Sequence, residues 1–134
     1  MMKNLTLFLA AFLLVLTACT SNLKPEKLYG KWKYTRVQNP HAVPPDSLKQ
    51  YELDEQQPYI VFAKGNTVEI NWGGKVLSKG TFTTNGGNII VHEKLPDGKT
   101  REFPFYVSKL DDKQIIFESM GESGSKVTAV KVAD

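Results

Sequence analysis

The sequence predicts an all-β fold, an eight-stranded antiparallel up-and-down barrel whose long first loop carries a short helix. From Pro58 onward, β-rich runs alternate with turn dipeptides, and successive turns fall roughly 8–14 residues apart, the spacing of a meander. The runs alternate with period two: Val68, Ile70 and Trp72 share one face, and Thr67, Glu69 and Asn71 share the other. Eight such strands leave two bare edges unless the sheet closes, and closure into a barrel removes both. An open two-sheet sandwich is the alternative layout.

The chain begins "MMKNLTLFLAAFLLVLTAC". Lys3 supplies a positive start, and Leu5 to Leu16 form an apolar run of about 12 residues, the length of a signal-peptide core. As a helix it would reach roughly 18 Å, short of the ~30 Å a bilayer core demands, so a simple transmembrane anchor is disfavoured. The only cysteine, Cys19, follows directly.

Leu16-Thr17-Ala18-Cys19 resembles the lipobox of bacterial lipoproteins. The resemblance implies that the Cys19 thiol receives a diacylglyceryl group, that the bond before it is cut, and that acyl chains of the palmitate class hold the protein on a membrane. Each buried methylene adds roughly 0.8 kcal/mol, so two or three chains anchor permanently. The residue after the cysteine is Thr20 and not Asp, which by the same resemblance implies the outer membrane of the cell envelope. The domains are then a signal peptide over 1–18, a lipidated cysteine and tether over 19–27, and a barrel over 28–134. An ordinary secretory signal with a chance cysteine is the bland alternative.

Removing residues 1–18 takes away one lysine and leaves 16 basic and 14 acidic residues, net +2. The remaining length suits one domain. The charges are interspersed, which argues against a nucleic-acid partner. No Cys/His cluster suggests zinc, and no cofactor is expected.

"GKWKYTRV" provides the first strand; "PYIVFAK", "NTVEINW", "KVLSKGTFTT", "NIIVHEK", "TREFPFYVS", "QIIFES" and "SKVTAVKV" provide the rest. Gly65-Asn66, Gly73-Gly74, Asn85-Gly86-Gly87, Pro96-Asp97-Gly98, Asp111-Asp112 and Gly121 to Gly124 supply the hairpin turns. Gly80 suits a sharp barrel bend, and Pro104 a bulge or an edge position. Gln38 to Gln57 is a long connection with three prolines, in which Asp46 is positioned to cap a helix through "SLKQYEL". Connections of that length usually act as lids or binding loops.

Gly30-Lys31-Trp32, with this strand count and long first connection, resembles the G-x-W pattern of lipocalins, and in particular the small lipocalin-like lipoproteins of Bacteroidetes-type bacteria. The resemblance implies that Gly30 and Trp32 close one end of the barrel. Where lipocalins place an Arg over that Trp, the last strand here offers Lys131 or Lys126. Strand parity counted from Trp32 turns Tyr34 and Arg36 inward, toward a mouth flanked by Trp72 and Arg101. The candidate ligand residues are therefore Arg36, Trp72, Tyr34, Phe82 and Arg101, for a small hydrophobic or amphipathic molecule. The bland reading makes Tyr34, Phe82, Phe105 and Phe117 core filling and the arginines solvated rim.

No enzyme is expected, and no catalytic residue is assigned. Ser78 or Ser108 with His41 or His92 lacks a nucleophile-elbow context, and Glu93 and Glu102 read as rim charges that face each other across the Pro96–Gly98 hairpin. Two functions remain: a lipid-anchored barrel holding a small ligand, or an envelope interaction module or hydrolase inhibitor that uses Gln38 to Gln57 as its contact surface.

Overall fold

The computed structural model describes residues 22–119 and 124–133. Cys19 and the turn residues 120–123 lie outside them. The elements are helix α1 (Pro25–Leu28), β1 (Gly30–Asn39), β2 (Asp46–Ser47), helix α2 (Gln50–Gln56), β3 (Tyr59–Ala63), β4 (Thr67–Trp72), β5 (Lys75–Asn85), β6 (Asn88–Lys94), β7 (Thr100–Leu110), β8 (Gln114–Ser119) and β9 (Lys126–Val132). Strands β3 to β9 pair in sequence, and β1 pairs with both β3 and β9, so eight strands close an antiparallel barrel. Strand β2 is a two-residue rib on the overhanging end of β1, with Gln38 opposite Ser47 and Asn39 opposite Asp46.

Inward positions follow the pleat. Ile60, Phe62, Phe82, Ile89, Val91, Ile115, Phe117 and Ala129 are sealed from water, and their burial is the main stabilising term. Gly80 sits opposite Glu93, and a Cβ there would overlap the His92 backbone carbonyl oxygen. The bare α-carbon lets β5 and β6 approach where the sheet coils. Pro104 lies one residue beyond Phe105↔Ser119, where the described β7–β8 ladder begins, so the missing N–H interrupts no described pair with β8.

The alternating turns define two ends. At one, Trp32 is fully buried and its Nε1–H donates to the Leu28 carbonyl at 2.7 Å. Lys131 stands opposite Trp32 on β9 with its Nζ 5.2 Å from the ring centre. Lys131 thus takes the place over the tryptophan. Lys126 stands at the other end of β9, 3.9 Å from Glu118. Leu28, also fully buried, completes the plug.

The helix in the first connection starts later than expected. Asp46 does not cap it: Asp46 and Ser47 are extended and pair with β1, and Asp46 Oδ1 accepts the Ser47 N–H at 2.8 Å. Pairing with the overhang of β1 satisfies backbone groups that a helix there would leave open. Helix α2 begins at Gln50, and Glu52 Oε1 reaches back to the Lys49 N–H at 3.4 Å. Leu53 anchors the helix in the core, and the Gly73 N–H donates to the Gln56 carbonyl at 2.8 Å, which ties the helix to the β4–β5 turn.

Candidate functional site

The open end of the barrel is bounded by the first connection, the β4–β5 turn, the β6–β7 turn and the ends of β8 and β9 at Ser119 and Lys126. Which side chains face into it depends on two bulges, on β1 and β5. On β1, Tyr34 pairs with Ala129 and Arg36 with Thr128, so Thr35 is an extra residue that the partner does not match. An extra residue reverses the pleat beyond it. Val37 consequently points inward and is buried, while Arg36 is exposed on the outer surface. The expectation of an inward Arg36 is corrected: simple parity from Trp32 fails at the bulge. The second falls on β5 at Leu77, and a third irregularity, on β7 at Ser108, lies at the closed end.

Inside the mouth lies a cavity of about 210 Å³. Tyr34 and Val37 from β1, with Ile70 and Trp72 from β4, form one side. Phe105, Phe117 and Val127 form the other, and the Ser119 and Ser125 hydroxyls add polar groups. Leu77, carried out by the β5 bulge and 66% exposed, stands at the entrance. Two ring pairs meet edge to face: Tyr34 lies 6.5 Å from Trp72 at 72° and 6.0 Å from Phe117 at 69°; Phe105 lies 4.9 Å from Phe117 with the rings tilted at 51°. Edge-to-face contact is one of the favoured aromatic geometries. Burial pushes the Tyr34 phenol above its ordinary pKa, so it is a neutral donor at any physiological pH.

Of the residues expected at a ligand, Tyr34 and Trp72 line this cavity. Phe82 does not: it meets Phe62 edge to face at 5.1 Å in the sealed core. Arg101 is a rim residue, 63% exposed along its side chain. Its guanidinium stands 5.4 Å from the Phe103 ring, and Nη2 lies 2.8 Å from Glu93 Oε1. The N–H does not point squarely at that oxygen, so the contact is an ion pair by distance without a directed hydrogen bond.

Glu93 is the polar residue that sequence reasoning misplaced. It is buried, only 5% exposed, faces inward with Ile89 and Val91, and accepts a hydrogen bond from the Ser78 hydroxyl. The register sets it opposite Arg101 and sets Glu102 opposite His92, at 3.2 Å. The two glutamates therefore do not face each other. The spacing 89, 91, 93 carried the signal. Ser78 has Glu93 as its side-chain partner, while His92 lies on the other face of β6 beside Thr83. Ser108 is exposed on β7, and His41 is exposed in the first connection. Among the described residues no group of three His, Cys, Asp or Glu side chains is placed to hold a metal ion, and no helix is long and apolar enough to cross a membrane.

No family model matches the chain, and no curated protein matches it. Among solved structures, a lipocalin-like protein from Bacteroides uniformis ATCC 8492 is similar, with a TM-score of 0.56 at 17% identity, over 79% of this chain and 99% of that one. At that identity the likeness is one of fold: the barrel is lipocalin-like.

Proposed function

We propose that this chain is a lipid-anchored lipoprotein of the bacterial cell envelope, on the outer membrane, and that its barrel holds one small hydrophobic or amphipathic ligand at the mouth. The observation that carries the ligand reading is the aromatic-walled cavity around Tyr34 and Trp72. Its volume of about 210 Å³ lies below the ~300–1,000 Å³ of drug-sized sites. The ligand is therefore small, or only one apolar end of it enters while the rest lies over Val76 and Leu77 at the rim. The lipobox ending at Cys19 supports the anchor.

Native mass spectrometry of the protein as purified from a bacterial envelope tests both halves. The expected spectrum shows the mass of an acylated Cys19 and a non-covalent adduct lost on collisional activation. An unmodified cysteine removes the anchor, and no adduct across several preparations counts against the ligand.

A protein-interaction module, an envelope accessory subunit or hydrolase inhibitor, is the second reading. It is favoured by Val43 and Tyr51, exposed at 98% and 64% on the first connection. A co-purifying protein partner lost on Tyr51→Ala would make it the better one.

A further inference from the structure

The closed end of the barrel carries a second feature, opposite the ligand mouth. Leu23, Val107 and Leu110 pack against the core and form the apolar wall of a groove of about 390 Å³. The groove runs between the segment Asn22–Lys27, the Gly86-Gly87 turn and the end of β7. The Leu23 N–H donates to the Gly86 carbonyl at 3.0 Å, which pins the N-terminal segment along it. Lys24, Lys27 and Lys109 stand exposed on its rim.

An apolar wall beneath three ammonium groups is an amphipathic arrangement of one sign. Among the described residues none of the three lysines stands in a salt bridge. Lys31, Lys64 and Lys113 share that end, against the carboxylates of Glu26, Asp111 and Asp112, so the end is basic on balance. Three residues carry the chain from Cys19 to Asn22, a reach of at most roughly 11 Å. A chain anchored at Cys19 keeps this groove close to the headgroups.

We propose that the groove seats an anionic phospholipid headgroup of the bilayer surface. Lys24, Lys27 and Lys109 surround the phosphate, and Leu23, Val107 and Leu110 meet the glycerol and upper acyl carbons. The barrel stands on its closed end, and the ligand mouth points away from the anchoring membrane. Each lysine near an anionic surface strengthens binding about fivefold. The inference rests on the anchor reading for the groove's nearness to the membrane and for the orientation of the barrel on it.

The test uses the lipidated protein on vesicles of phosphatidylcholine, with and without phosphatidylglycerol. A fluorophore is placed in the groove through Ser108→Cys or at the mouth through Val76→Cys, and a headgroup-nitroxide lipid serves as quencher. The groove label is expected to be quenched in phosphatidylglycerol vesicles and the mouth label not. That quenching should be lost at ~1 M salt, where the screening length is about 3 Å, and lost in Lys24→Gln/Lys27→Gln/Lys109→Gln, whose thermal unfolding confirms that it folds. Quenching of the mouth label as strong as that of the groove label, or quenching indifferent to phosphatidylglycerol and to the lysines, overturns the proposal. Protein that fails to float with phosphatidylcholine vesicles removes the anchor instead. The groove is then judged by flotation with phosphatidylglycerol vesicles: retention lost in the triple variant supports it, and no retention overturns it.

Discussion

Lys131 lies across Trp32, with its Nζ 5.2 Å from the centre of the indole ring, and Gly30 is the residue that makes room for it. Gly30 has φ +140°, and a Cβ there would stand 2.6 Å from Lys131 Cε. The first and third residues of the G-x-W pattern therefore serve one structure: the tryptophan plugs the barrel, and the bare glycine lets a β9 side chain cross over it. A lysine stem covers the ring as an apolar chain and adds a cation at its face.

Trp32→Ala should destabilise the protein by roughly 3–5 kcal/mol, as truncation of a buried aromatic does. Lys131→Met should cost less than about 1 kcal/mol, since it keeps the stem and loses an exposed cation–π contact. Gly30→Ala should cost about 1–3 kcal/mol through its backbone angle. Because the strain lies in φ and the lysine end can move aside, Lys131→Ala should not rescue it. Chemical denaturation of the four variants measures all of this. A Trp32→Ala loss under about 1 kcal/mol contradicts a buried plug.

Glu93 and Arg101 form an ion pair with one buried and one exposed partner. Arg101→Met leaves a buried carboxylate supported only by Ser78, and should cost about 1–3 kcal/mol. Glu93→Gln/Arg101→Met should recover most of that loss, because the buried charge is gone. A double-mutant cycle with a coupling near zero would place Arg101 as an independent rim charge.

The β7–β8 turn has a pH signature. Asp111 Oδ1 accepts the N–H groups of Lys113 and Gln114, both at 2.8 Å, and these hold its carboxyl below the usual 3.8 of an aspartate. A carboxyl depressed by folding contributes stability above its unfolded pKa and loses it as pH falls through the folded value. The difference between wild type and Asp111→Ala should therefore be present at neutral pH and vanish only below the ordinary aspartate range. A ¹³C-detected carboxylate titration should find Asp111 below the usual 3.8 of an aspartate. An ordinary midpoint would show that the turn does not hold its charged form.

The strands, their order and the two ends of the barrel were legible because period-two alternation and Gly/Asn turns are local signals. The closing β1–β9 pair was reached through the need to remove sheet edges. What local pattern does not carry is the bulge: nothing in "YTRV" marks Thr35 as the extra residue, so simple parity turns Arg36 inward where Val37 in fact takes that position. The start of α2 is illegible for a related reason, since pairing of Asp46 and Ser47 with a strand overhang competes with capping and leaves no mark along the chain. Tyr34 and Trp72 are legible because Tyr34 lies on the Trp32 side of the β1 bulge and Trp72 on a strand that carries no extra residue. Phe82 was displaced to the core because the mouth cavity does not reach the depth of its ring.

The most direct test of the ligand site is the emission of Trp72 during titration with small aromatic and short-chain amphipathic probes. Trp32 is fully buried in the plug at the closed end, so the responding signal should be the one removed by Trp72→Phe. Tyr34→Ala should weaken binding, while Arg36→Ala, on the outer surface, should leave it unchanged. A saturable change with that pattern is the predicted result. A panel that leaves the emission unchanged, or an equal response in Trp72→Phe, would contradict a ligand at the mouth.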